Sequence, residues 1–131
     1  MNLQSLRIIT ADIKRLVGFY EKITRLPAKW YTEDFAEFTI GATNLAIGST
    51  RTLSLFGEDI AQPASNKSLI IEFRVENVDD NYNSIKNITD AIVQEPTTMP
   101  WGNRSILFRD PDGNLINLFT PVSSEALKRF D

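Results

Sequence analysis

Phe108-Arg109-Asp110-Pro111-Asp112-Gly113-Asn114-Leu115-Ile116-Asn117-Leu118-Phe119 reads as strand, tight turn, strand. Asp110 stands where a carboxylate can accept backbone N–H groups at the start of the turn. Pro111 presets its own φ, and Gly113 supplies the positive φ that closes a hairpin. Apolar residues on both sides make the flanks buried strands, Asn103 to Arg109 and Asn114 to Phe119.

Working back from this hairpin, the preceding residues form a pattern that occurs twice. Leu69 to Val75 is a strand, and Asn77 is the N-cap of a helix with Asp79 and Asp80 in its first turn. Val78, Tyr82, Ile85 and Ile88 mark that helix's buried stripe, with Lys86 near its C-terminal end. Ala91 to Glu95 begins another strand, which Pro96 and Pro100 are expected to interrupt. Sixty-five residues earlier, Ser5 to Thr10 is a strand and Asp12 a helix N-cap, aligned with Asn77. Ile13, Leu16, Val17, Tyr20 and Ile23 give an amphipathic helix of about 12 residues, stopped by Pro27. Lys29 to Thr32, Phe35 to Ile40 and Asn44 to Gly48 follow as strands, with turns at Glu33-Asp34 and Gly41-Ala42-Thr43. Arg51 to Phe56 fits either a strand continuation or a fold back across the module. Ser123 to Phe130 fits one or two helical turns. The expectation is one α+β domain over 1–131, built from β-α-β-β-β modules at about 1–56 and 68–122. The polar stretch 57–67 connects them.

The hairpin within Arg-Asp-Pro-Asp-Gly-Asn-Leu-Ile-x-Leu, the Trp101-Gly102 approach to it and the doubled module resemble the vicinal oxygen chelate superfamily. Its members include glyoxalase I, extradiol dioxygenases and the fosfomycin- and bleomycin-resistance proteins. The resemblance covers essentially the whole chain. It implies two βαβββ modules forming a curved, barrel-like mixed sheet with helices outside and a ligand cavity on the concave face. In the family's metalloenzymes the residue before the final Leu is a metal-binding Glu; here it is Asn117. The family's two His positions fall on Ser5 and Ile70, and its remaining ligand falls near Ala46 to Gly48, where there is no donor side chain. The expectation is therefore no metal and no other cofactor. The resemblance to the bleomycin-resistance branch implies a homodimer.

Composition points the same way. The 131 residues include no Cys and no His, so any metal would need oxygen ligands alone. Disulfides and thiol nucleophiles are impossible. A net charge of −3 argues against nucleic acid as a general partner. No apolar run reaches membrane-spanning length, and Met1 to Arg7 lacks a signal-peptide pattern. The expected setting is the cytoplasm, with no membrane partner.

Strand alternation assigns faces. Ile71, Phe73 and Val75 should pack under the helix, leaving Ile70, Glu72 and Arg74 facing the cavity. Ser5, Arg7 and Ile9, and Leu115, Asn117 and Phe119, should also face it. Arg7, Glu72 and Arg74, with Arg104 close by, are either rim residues in internal ion pairs or a grip for an anionic or zwitterionic small organic ligand. Glu72 is the one candidate for a general base, and no other catalytic residue is identified. Trp101 and one of Trp30 and Tyr31 offer flat faces for a planar ligand, with Phe38 and Phe119 as an apolar wall. The ligand-binding set is thus Arg7, Trp30, Glu72, Arg74, Trp101, Arg104, Asn117 and Phe119. Binding of a toxic compound is the favoured activity; an enzyme of the same superfamily with altered, non-metal chemistry is the alternative.

Overall fold

A computed structural model of the chain describes residues 1–57 and 59–130. The backbone divides into two compact units, Met1–Asn66 and Lys67–Asp131. In the first, β1 (Ser5–Thr10), α1 (Ile13–Thr24), β2 (Lys29–Thr32), β3 (Phe35–Ile40) and β4 (Thr43–Ser49) follow one another, and a 3₁₀ turn spans Thr50–Leu53. In the second come β5 (Ile70–Arg74), α2 (Val78–Ile85), β6 (Ile92–Thr98), β7 (Asn103–Arg109), β8 (Leu115–Pro121) and α3 (Ser124–Phe130). Each unit is a β-α-β-β-β module with one four-stranded mixed sheet, ordered β1-β4-β3-β2 and β5-β8-β7-β6. The first strand of each module runs parallel to the last, and the other pairings are antiparallel.

Both helix caps are as the sequence implies. Asp12 accepts the Arg15 N–H, and Asn77 accepts the N–H groups of Asp79 and Asp80. At the other end of α1, Arg25 turns left-handed (φ 58°) and its N–H reaches the Glu21 carbonyl, closing the helix before Pro27. Each helix covers one sheet face. Under α1 lie Ala36, Phe38, Leu45 and Ile47, and under α2 lie Ile106, Phe108, Ile116 and Leu118, all buried. Full burial of each larger side chain here contributes roughly 1.5–3 kcal/mol.

The turn at Asp110 is a dense polar knot. Its buried carboxylate accepts the N–H groups of Asp112 and Asn114, each at 2.9 Å, and the Asn114 side-chain amide at 2.7 Å. Gly113 has φ +85°, and Arg109 donates to its carbonyl.

Several boundaries differ from expectation. β6 runs through Pro96 to Thr98, because it is an edge strand and its pairing with β7 shifts register on either side of Gln94. α2 ends before Ile88, which lies in the turn after it. Arg51 to Phe56 neither extends β4 nor forms a new strand; it begins in the 3₁₀ turn. Asp34 holds that turn, accepting from Ser49 Oγ and Arg51 Nε, both at 2.8 Å. These bonds keep the Asp34 carboxyl below the usual carboxylate range, with Arg51 the larger cause. In the connector, Glu58 lies outside the described residues.

Candidate functional site

The face of each sheet turned away from its helix carries the polar side chains. In the first module, cross-strand pairing lines up Arg7, Ala46, Glu37 and Lys29 in one row. The next row holds Ile9, Gly48 and Phe35. Arg7 lays its guanidinium over the Phe35 ring, 5.0 Å from the centroid. Phe35 in turn meets Tyr31 at 5.9 Å, and Lys29 Nζ stands 4.9 Å over Tyr31. Two cations therefore flank two aromatic rings, a surface suited to flat, electron-rich molecules. Glu37 accepts from the Asn44 amide at 3.0 Å. Among the described residues, no carboxylate lies within ion-pair distance of Arg7. Gly48 is required by close approach: a Cβ there would come 2.9 Å from Thr52 Oγ1, since the 3₁₀ turn curls over this corner.

In the second module the equivalent rows are Glu72, Asn117, Leu107 and Gln94, then Arg74, Phe119 and Ser105. Asn117 Nδ2 donates to Glu72 Oε2 at 2.8 Å. With the amide so oriented, Asn117 Oδ1 is buried and has no hydrogen-bond partner among the described residues. The tail covers the same corner that the 3₁₀ turn covers in the first module. Phe130 rests on Phe119 with ring centroids 5.1 Å apart, and Arg74 Nη1 donates to the Phe130 carbonyl at 2.7 Å.

The faces expected for Arg7, Glu72, Arg74 and Asn117 agree with strand register and burial. Phe119 shares the same face, but α3 buries it. Arg104 is elsewhere. It lies on the α2 side of β7, its guanidinium bidentate with Asp79 at 2.8 and 2.9 Å. That pairing lowers the Asp79 pKa and raises that of Arg104. Trp30 pairs with Ala36 and so belongs to the α1 side, beside Lys14 at a shallow cavity of about 370 Å³. Phe38, expected in the cavity wall, is fully buried against Tyr20. Trp101 stands 62% exposed on a loop. Its neighbour Gly102 (φ +92°) accepts the N–H groups of Val122 and Ser123 at the start of α3. Sequence reasoning left Lys29, Phe35 and Glu37 out of the site. Alternation alone could have found them, since Glu37 sits between buried Ala36 and Phe38.

The family profile of the Glyoxalase/Bleomycin resistance protein/Dioxygenase superfamily matches residues 2–118. The chain belongs to that superfamily. It is similar to the uncharacterized protein YraH of Bacillus subtilis, at 29% identity over 125 residues, covering 91% of this chain and 98% of the relative. Among solved structures, a family enzyme from Burkholderia phytofirmans superposes with TM-score 0.82 at 15% identity, covering 93% of this chain and 100% of the other. A protein from the mobile metagenome of V. Pseudocholerae gives 0.72 at 27% identity, covering 94% and 96%.

Some superfamily members are metalloenzymes, and the residues here do not fit that role. Ser5 offers a hydroxyl, Ile70 an aliphatic chain, Ala46 a methyl group, and the Asn117 amide is turned toward Glu72. Transition-metal centres need several imidazole, thiolate or carboxylate donors converging. Among the described residues no three Asp or Glu side chains gather to hold a metal ion.

Proposed function

We propose that this protein binds a small organic anion with a planar group on the open face of its first sheet, without a metal, and acts by sequestering it. The observation that carries this reading is Arg7. Its guanidinium stands over the Phe35 ring, 5.0 Å from the centroid, on the sheet face away from the helix, and has no carboxylate to neutralise it among the described residues. The fork matches a carboxylate or phosphate bidentately. Tyr31 and Lys29 extend the surface by a second ring and a second cation. By contrast, Arg51 and Arg104 are committed to Asp34 and Asp79. We place the protein in the cytoplasm as a homodimer.

The test is native mass spectrometry of metal-stripped protein against a panel of aromatic and aliphatic acids and amines. Retention of aromatic acids by wild type, and their loss in Arg7→Ala, is the expected outcome. Binding that favours amines, or that survives Arg7→Ala unchanged, contradicts the proposal. Turnover of a bound acid would move the protein to the enzymatic reading.

A further inference from the structure

Three charged side chains share the open face of the first sheet, and each is held by an uncharged neighbour instead of by one of the others. Arg7 stands over the Phe35 ring, and Lys29 Nζ over the Tyr31 ring. Glu37 takes the Asn44 amide on Oε2, and its Oε1 has no hydrogen-bond partner among the described residues. Lys29 is directly opposite Glu37 in the β2–β3 pair, and Arg7 belongs to the same cross-strand row. Neither cation is within ion-pair distance of Glu37. We propose that Arg7 and Glu37 together form a subsite for an aromatic α-amino acid, with Arg7 taking its carboxylate and Glu37 its ammonium.

This rests on the reading that Arg7 takes the carboxylate of the ligand, and adds a second anchor to it. Opposite charges on one sheet face gain by pairing with each other. Here they are kept apart. Phe35 draws the guanidinium toward one end of β3, and Asn44, opposite Thr39, draws the carboxylate toward the other. Phe35 and Glu37 alternate with buried Ala36 and Phe38, so they share a face. Two positions along a strand cover about 6.5–7 Å. An α-amino acid bridges such a gap, because its carboxylate and its ammonium each add a charge-assisted hydrogen bond of about 2.8 Å. The Tyr31 ring, exposed and 5.9 Å from Phe35, offers a face for the aromatic side chain. A simple acid leaves Glu37 unused, and a simple amine leaves Arg7 unused. Preference therefore falls on the molecule that carries both groups.

Calorimetric titration of the metal-stripped full chain with L-phenylalanine, hydrocinnamate and phenethylamine tests this. The last two are phenylalanine without its ammonium and without its carboxylate. Wild type should bind phenylalanine at least about tenfold more tightly than either. Glu37→Gln should bring phenylalanine level with hydrocinnamate, and Arg7→Ala should bring it level with phenethylamine. Glu37→Asp, which keeps the charge, should retain part of the preference. Each comparison is a ratio between ligands on the same protein, which a general loss of stability leaves unchanged. Phenylalanine bound no more tightly than hydrocinnamate by wild type overturns the proposal, as does a preference that survives Glu37→Gln. Should hydrocinnamate then still bind and depend on Arg7, only this inference falls. If its binding is indifferent to Arg7, the proposed function falls with it.

Discussion

The Asn117 amide donates to the Glu72 carboxylate at 2.8 Å across the parallel β5–β8 pair, on the sheet face away from α2. In the superfamily's metalloenzymes the Asn117 position carries a metal-binding Glu. Here the same position is turned into a hydrogen-bond donor for a neighbouring carboxylate, which a metal-binding Glu could not be.

Asn117→Glu should therefore not create a zinc site. Ser5 and Ile70 still lack imidazole, and the new carboxylate would face Glu72 at hydrogen-bond distance. Two carboxylates so placed cannot both ionise freely, so one of them should titrate above the ordinary Glu range. Equilibrium dialysis should find no tightly bound zinc, and NMR titration should find the raised carboxylate. Tight zinc binding by this single variant would show that the metal argument is wrong.

Arg104 and Asp79 give a pH signature. The Asp79 pKa is lowered in the fold, chiefly by its hydrogen bonds to Arg104. Its stabilisation is thus present above the ordinary carboxylate pKa, about 4, and is lost as pH falls through the lowered folded value. Wild type should exceed Asp79→Asn in melting temperature at neutral pH, and the gap should shrink on acidification below pH about 4. A gap unchanged down to strong acid would mean that Arg104 does not stabilise the charged form.

Asp110→Ala should destabilise the fold by about 2–4 kcal/mol in urea unfolding. The change strands two backbone N–H groups and the Asn114 amide in a buried turn. A loss below about 1 kcal/mol would show that water satisfies these groups as well as the carboxylate does.

The fold was legible because its signals are local. Asp12 and Asn77 cap helices at equivalent places, and the Asp110 turn carries its own side-chain-to-backbone hydrogen bonds between two apolar runs. Alternation also placed Arg7, Glu72 and Asn117 on the correct face. The failures have a common cause, which is that sequence does not show pairing. Trp30 and Tyr31 alternate plainly, but only the register with Ala36 tells which of them joins Phe35. Arg104 precedes a cavity-facing position by one residue, and its partner Asp79 is 25 residues away. Pro96 looks like a strand breaker until the strand is known to be at an edge.

Assembly is open to a direct check. Ile70, on the open face, is 46% exposed, and Leu69 before it is 49% exposed. We expect a twofold dimer, the commonest closed symmetry. Sedimentation at micromolar concentration should give a mass near twice 14.8 kDa. A clean monomer would contradict this.

Arg7 is proposed to grip an organic anion without help from a metal. Titrating benzoate into metal-stripped, ¹⁵N-labelled protein measures this. Saturable shifts are expected at the Arg7 guanidinium and at the Phe35 and Ala46 amides, unchanged by added zinc and absent in Arg7→Ala. Shifts that require zinc, or that persist without the Arg7 side chain, would contradict it.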